Sequence, residues 1–411
     1  MDVGSVRINP NSFAFTLLLG LLATLPTFGI DMILPTLSAT GAALGASPSE
    51  VGLTMSVYLL SLGAALSIYG PVSDRFGRKP VVVFGCLLVI TASIGCALAQ
   101  SLPALLAWRV VQGAGAAGMM PMAIVRDLFD GKAARAKMSY VVIAVNVVPM
   151  ISPTVGAALL ALGGWRIVYL VFLGAACVLL LAMSLGFAES AKIDPANRLM
   201  PSVIARNYLR VLTHRACLGY ILVNAAGAGA VFAYITGSSL FFMNVMGLRP
   251  DQYGLIFGAS SIAVMGGAFL DGRFSAWGAS PGHVLTIGLT LSSVAATLLL
   301  TVSLAGWTPI PLVMSVMIVV ALSFGLISPN AMNGAMQPLP QIAGFVSAAA
   351  ICLQMTAAAG SSALVTVLFD GHSALSMAAF MMLFSLLSVI SYLFVARPSE
   401  PFTVSAQTDR R

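Results

Sequence analysis

The sequence predicts an all-helical polytopic membrane protein of twelve spanning helices, in two groups of six, with both ends on the same side. Three observations carry that expectation. The 411 residues are 59% hydrophobic and 8% charged, with mean hydropathy +0.99; a water-soluble domain cannot bury so much apolar surface. From Phe274 to Phe369 there is no Asp, Glu, Lys or Arg, room for three spans of about 20 residues each. The longest polar stretch, 189–215, leaves six apolar segments on either side of it.

Hydropathy places the spans at 13–36, 50–70, 80–99, 103–124, 138–162, 167–188, 217–244, 252–271, 281–304, 309–329, 343–367 and 373–396. The first is uncharged from Ile8 to Ile30. Asp31-Met-Ile-Leu-Pro35 then breaks the pattern, so the run reads as a span rather than a removed leader. The second ends in a polar segment, Gly70–Lys79, read as a tight turn into the third. The fourth contains Arg109, and the fifth carries Pro149 and Pro153. The sixth stops at Glu189. The seventh follows the basic connection, and the eighth runs from Asp251 to Asp271. The ninth, tenth and eleventh fill the uncharged stretch, and the twelfth ends before Arg397. The 39 Gly and 21 Pro residues suit close-packed, kinked membrane helices. The expected domains are 1–188, a connection 189–215 with an amphipathic piece at 203–212, a second half 216–396 and a tail 397–411.

An even number of spans puts both termini on one side, and the basic residues choose it. With both ends inside, 17 of the 20 Lys and Arg residues are cytoplasmic, only Arg166 and Arg249 are outside, and Arg109 is within a span. That asymmetry predicts cytoplasmic termini. The one-sided charge, without interleaved aromatics, also argues against nucleic acid as the partner behind a pI of 9.4. Cys86, Cys96, Cys177, Cys217 and Cys352 form no CxxC pair and no cluster with His, so neither metal nor a disulfide framework is expected. No zinc-protease, nucleophile-elbow or phosphate-loop pattern is present, which argues against a membrane enzyme and against transport driven by ATP within this chain.

Of the 13 acidic residues one falls within a span, Asp31; of the basic residues one does, Arg109. An ionisable group in hydrocarbon costs about 2.5–3.5 kcal/mol on insertion scales, so each needs a partner, water or a function. Both lie on the order of 10 Å below the outer surface at 1.5 Å per residue, which predicts one shared cavity. Burial favours the neutral form of a carboxyl and a nearby guanidinium the charged one, so Asp31 is the expected proton carrier and Arg109 its tuner. A purely structural ion pair is the alternative.

The segment Gly70-Pro-Val-Ser-Asp74-Arg75-Phe-Gly77-Arg78-Lys79 resembles the G-x-x-x-D-R-x-G-R-[KR] signature of the major facilitator superfamily. Arg109-Val-Val-Gln112-Gly113-Ala-Gly115 resembles its helix 4 motif. Pro149-Met-Ile-Ser152-Pro153-Thr-Val-Gly156-Ala157 resembles the G-P-x-x-G-G antiporter motif, departing at Ser152 and Ala157. Asp271-Gly-Arg273 looks like a decayed second copy of the signature. Gly29-Ile-Asp31-Met-Ile-Leu-Pro35, and Gly344-Phe-Val-Ser347 continuing to Gln354, are similar to the bicyclomycin/chloramphenicol-resistance (Bcr/CflA) exporters.

The resemblance implies a major facilitator fold and drug:proton antiport by alternating access, in the bacterial inner membrane. It implies gating through Gly70, Asp74, Arg75, Gly77, Arg78 and Lys79. No cofactor is expected; the partners are a small-molecule substrate, protons and the bilayer, with the monomer as the working unit. The substrate is expected between the halves near the midplane. Candidate lining residues are Phe28, Met55, Tyr58, Met119, Met122, Asn224, Tyr234, Asn330 and Gln354, because Met and aromatic surfaces re-pack around unlike ligands. A metabolite transporter, importer or narrow exporter, remains the alternative on the same fold.

Overall fold

The computed structural model describes residues 8–116, 118–191 and 201–397. Arg7, Lys192, Asp194, Arg198 and the tail from 398 lie outside the described residues. Eleven helical stretches among the described residues are long and apolar enough to cross a membrane. Their outer surface is studded with exposed apolar side chains, Leu98, Leu162, Leu255, Phe269 and Phe394 among them. Such a surface belongs against lipid tails, where helices satisfy their own backbone groups.

The first span is α1 (Phe13–Asp31), started by Ser12, whose hydroxyl accepts from the Phe15 amide at 3.2 Å. It stops at Asp31 because Pro35 has no N–H to donate to the Asp31 carbonyl. A short 3-10 turn, Leu34–Thr36, leads into α2 (Leu37–Leu44). Next, α3 (Pro48–Phe76) opens with a capping box: Glu50 accepts from the Ser47 amide at 2.8 Å, and Ser47 Oγ accepts from the Glu50 amide. The signature segment is therefore not a turn. Helix α3 runs through Asp74 to Phe76, α4 (Arg78–Leu98) begins at once, and Gly77 alone makes the corner at φ 99°, a conformation that favours glycine.

The predicted fourth span is broken. It comprises α5 (Leu102–Ala116) and α6 (Pro121–Leu128). Pro121 cannot donate backward and forces Met120 out of the helical region, to φ −123° and ψ 59°. The break lies where α5 crosses α4 closely: a Cβ on Gly115 would sit 2.8 Å from Leu88 Cβ and 2.9 Å from the Gly85 carbonyl oxygen. With backbone on two sides, neither helix can yield cheaply. Gly115→Ala is expected to lose about 1–3 kcal/mol, read as a lower melting temperature in detergent beside an unchanged Gly174→Ala control, where the added Cβ meets nothing within 4 Å.

The remaining helices are α7 (Gly131–Gly163), α8 (Arg166–Leu181), α9 (Pro201–Thr213), α10 (Arg215–Ser239), α11 (Pro250–Ala276), α12 (Pro281–Leu304), α13 (Ile310–Met336), α14 (Ala343–Val367) and α15 (Leu375–Ser391). The predicted amphipathic piece lies within α9. The decayed signature copy likewise lies inside the end of α11 rather than in a loop.

Packing repeats itself along the chain. Helix α5 sits against α3 and α4, and α4 against α8; α13 sits against α11 and α12, and α12 against α15. The two sets meet along two seams, α3 with α14 and α7 with α11. Small residues let the backbones approach: Gly63 abuts Met355, Gly254 abuts Thr154, and Gly258 abuts the Met150 carbonyl. At the end away from the basic face, Ser38 donates to Asn244 at 3.1 Å across the junction. At the basic end α9 straps the sets together, Tyr208 donating to the Ser67 carbonyl at 2.7 Å and stacking edge-on against Phe345.

Candidate functional site

Asp31 terminates α1 and is 4% exposed. The 3-10 turn that follows it touches α10 and α11 of the second set, so the acid sits beside the seam. Tyr58 packs against Gly29, two residues before Asp31, and lies beneath Arg109.

Arg109 is completely buried and fully engaged. Its Nη2 donates to the Gly29 carbonyl at 2.8 Å, Nη1 to Gln112 Oε1 at 2.6 Å and Nε to the Thr54 carbonyl at 3.3 Å. Its guanidinium lies 4.1 Å from the Tyr58 ring centroid, a cation–π contact. Gln112 Nε2 is held in turn by Ser93 Oγ at 2.9 Å, and the Tyr58 hydroxyl donates to the Pro26 carbonyl at 2.9 Å. Because α1 stops at Asp31, the Gly29 carbonyl is one of its last, unpaired acceptors. Arg109 thus caps the negative end of α1. Among the described residues no ion pair joins Arg109 to Asp31: the base grips the backbone two residues before the acid.

At the basic end Arg78 joins three helices. Its Nη1 meets Asp74 at 2.6 Å and Ser73 Oγ at 2.5 Å, and its Nε meets Asp127 at 2.8 Å. Glu189, just past the sixth span, accepts from the backbone amides of Arg78 and Lys79 at 2.8 and 3.0 Å, capping the start of α4. The Lys79 ammonium donates back to the Ser184 and Phe187 carbonyls at 2.9 and 2.7 Å. Asp127, Glu189 and Thr54 escaped the sequence reading. Asp127 and Glu189 looked like ordinary span-end acids, and Thr54 contributes only a carbonyl.

The cavity candidates disperse. Met55, Tyr58 and Tyr234 are buried, Met119 is nearly so and Met122 is 37% exposed. Phe28 faces an apolar crevice of about 270 Å³ between α1, α7 and α8, with Met32, Ile151 and Phe172. Asn330 is committed elsewhere: its amide donates to Asp271 at 2.6 Å and to the Leu326 carbonyl at 2.8 Å. That link joins α11 to α13, as Arg78 bridges Asp74 of α3 to Asp127 of α6 in the first set. Asn224 donates to Gln354 at 3.1 Å between α10 and α14. Gly113 abuts the Tyr58 carbonyl, and Gly156, after Pro149 and Pro153 in α7, abuts the Met32 carbonyl. Asp370, in the turn before α15, accepts from the Ser373 hydroxyl and from the amides of His372 and Ser373. Those bonds, the Ser373 hydroxyl foremost, hold its carboxyl below the usual carboxylate range.

Two sets of membrane helices meeting along paired seams, with polar side chains sunk at mid-depth, are the build of a membrane transporter. The chain belongs to the Major Facilitator Superfamily, whose family model matches residues 17–362. Its function is therefore transport, not catalysis. Similar proteins include the bicyclomycin resistance protein homolog of Haemophilus influenzae, 29% identical over 81% of this chain and 84% of that one. The chloramphenicol resistance protein of Pseudomonas aeruginosa is 30% identical over 83% and 80%. The MFS-type transporter YdgK of Bacillus subtilis is 30% identical over 82% and 84%. Among solved structures, a POT family transporter in complex with 5-aminolevulinic acid superposes with a TM-score of 0.75 at 14% identity, over 97% of this chain and all of that one. It shares the fold.

Proposed function

We propose that this protein is a proton-coupled exporter of small amphipathic molecules, acting as a monomer in the bacterial inner membrane with both termini cytoplasmic. In this reading α5 and α6 together make a twelfth crossing, and residues 1–188 and 216–396 are the two halves that rock about a central site. The observation that carries it is Asp31: a buried carboxyl at the seam, with no cation paired to it among the described residues. A charge so placed needs a partner. The partners on offer are a proton from one side and the substrate from the other, and mutually exclusive occupancy at one acid is antiport. The names of the resistance-protein relatives support export and an antibiotic-like substrate. The test is proton movement in everted membrane vesicles. Addition of an antibiotic or lipophilic cation from a panel is expected to collapse a preformed pH gradient. No response to any compound, alongside proton-driven uptake of a metabolite, would turn the assignment to import.

In the same reading the Arg78 cluster at the basic end governs access from the cytoplasm. Asp74 is 58% exposed at its side chain, and exposed pairs contribute about 1 kcal/mol or less. Asp74→Asn is expected to leave the melting temperature within about two degrees while slowing transport several-fold. Unchanged turnover and unchanged drug resistance in that variant would sink the gating role.

A further inference from the structure

We propose that the amide pair Asn224–Gln354 is the site that recognises a hydroxyl or amide N–H of the substrate. It follows that the protein's substrates include uncharged molecules bearing such donors, held there in a way that a donor-free cation is not. This rests on the exporter reading above and narrows it.

Asn224 lies nine residues into α10, and Gln354 eleven residues into α14. At 1.5 Å per residue both are roughly 14–17 Å from the basic end, near the middle of a hydrocarbon layer about 30 Å thick. The next residue, Met355, packs on Gly63 of α3, which puts the pair at a seam between the two sets.

Asn224 is 1% exposed. Its Nδ2 donates to Gln354 Oε1 at 3.1 Å, and its Oδ1 is buried with no hydrogen-bond partner. A buried acceptor left bare keeps the full penalty of losing its water. Reversing the amide would be worse, stranding two N–H groups instead of one oxygen. The other unpartnered buried atoms among the described residues are the hydroxyls of Ser56, Ser293, Ser303 and Ser376 and the indole N–H of Trp165. A hydroxyl can swing back onto its own helix, and the indole is a donor. Asn224 Oδ1 is the one among them that can only accept, so it calls for a donor. Gln354 is partly exposed, and its Nε2 has no partner among the described residues. One bare acceptor beside free donors is the complement of an alcohol or a secondary amide. A lipophilic cation lacking N–H and O–H leaves both unanswered.

The test uses the full-length protein, purified and also reconstituted in vesicles, with two probes. Chloramphenicol is neutral and carries two hydroxyls and an amide N–H; tetraphenylphosphonium is a cation with no donor. Asn224→Leu keeps the branching at Cγ and removes the polar atoms, and Gln354→Leu serves as a second variant should the first not fold. The expected result is chloramphenicol binding weakened at least tenfold, tetraphenylphosphonium binding unchanged within twofold, and an unchanged or raised melting temperature. Equal weakening of both probes, no change in either, or wild-type binding of the cation alone would each overturn the assignment. A wild type that binds chloramphenicol but moves it without protons defeats the coupling and leaves this recognition standing. A wild type that neither binds nor moves either probe defeats the exporter reading and this assignment with it.

Discussion

Asp31→Asn is expected to abolish drug-driven proton movement while leaving a folded protein. The substitution preserves shape and removes the one buried carboxyl among the described residues. No ion pair to Arg109 is broken, because Arg109 is satisfied by the Gly29 and Thr54 carbonyls and by Gln112. Removing a buried carboxyl that has no charged partner leaves no stranded cation behind, unlike the breaking of a buried salt bridge. The melting temperature should therefore hold or rise. In everted vesicles, drug addition should no longer collapse the pH gradient, and gradient-driven accumulation should fall at least tenfold. Drug binding in detergent should survive. Full coupling in Asp31→Asn would remove the proton from this residue; a collapsed protein would show that the acid has partners beyond those described.

Arg109→Ala is expected to act in the opposite way, on stability first. It strips the donors from two carbonyls and one amide oxygen in a fully buried place, and leaves the Tyr58 ring face bare. Hydrogen bonds between membrane helices average about 0.6 kcal/mol and reach roughly 1.7. Three of them, with the ring contact and the cavity left behind, amount to about 2–4 kcal/mol. Arg109→Lys should recover only part, since a single ammonium cannot reach three divergent acceptors with the geometry of a guanidinium. Thermal melts of the two variants give the ranking. If Arg109→Ala melted with the wild type while losing coupling, the base would act on Asp31 directly and not through the end of α1.

What the sequence made legible follows a physical rule. Apolar periodicity reports burial in lipid, and eleven of the hydropathic segments coincide with described helices long and apolar enough to span, the fourth holding two shorter ones. It is blind to backbone continuity, so the break at 118–120 passed unseen although Gly118 and Pro121 stood in plain view. Charge placement marked Asp31 and Arg109 because hydrocarbon makes any ionisable residue conspicuous. Their relation stayed hidden, because the base binds carbonyls, and a carbonyl carries no residue identity. The signature segment was legible as a motif and illegible as a shape: five polar residues and two glycines looked like a turn, yet α3 carries Asp74 within its last turn. Its partner Glu189 lies about 110 residues downstream, beyond the reach of any local pattern. Asn330 was chosen for polarity in an apolar span, and its commitment to Asp271 needed the α11–α13 contact to be seen.

The two equivalent struts at the basic face have drifted apart in kind. One is built of full charges, Arg78 with Asp74 and Asp127; the other is a carboxylate receiving an amide, Asp271 from Asn330. Dissolved ions reach the exposed Asp74 arm of the first, while its Asp127 arm, largely buried and in contact at 2.8 Å, is screened far less, as is the second strut. Electrolyte is therefore a one-sided lever on this molecule. Raising it loosens the Asp74 arm of the first half's fastening and leaves the Asn330–Asp271 bond of the second in place, so the two halves answer differently to the saltiness of the water they face.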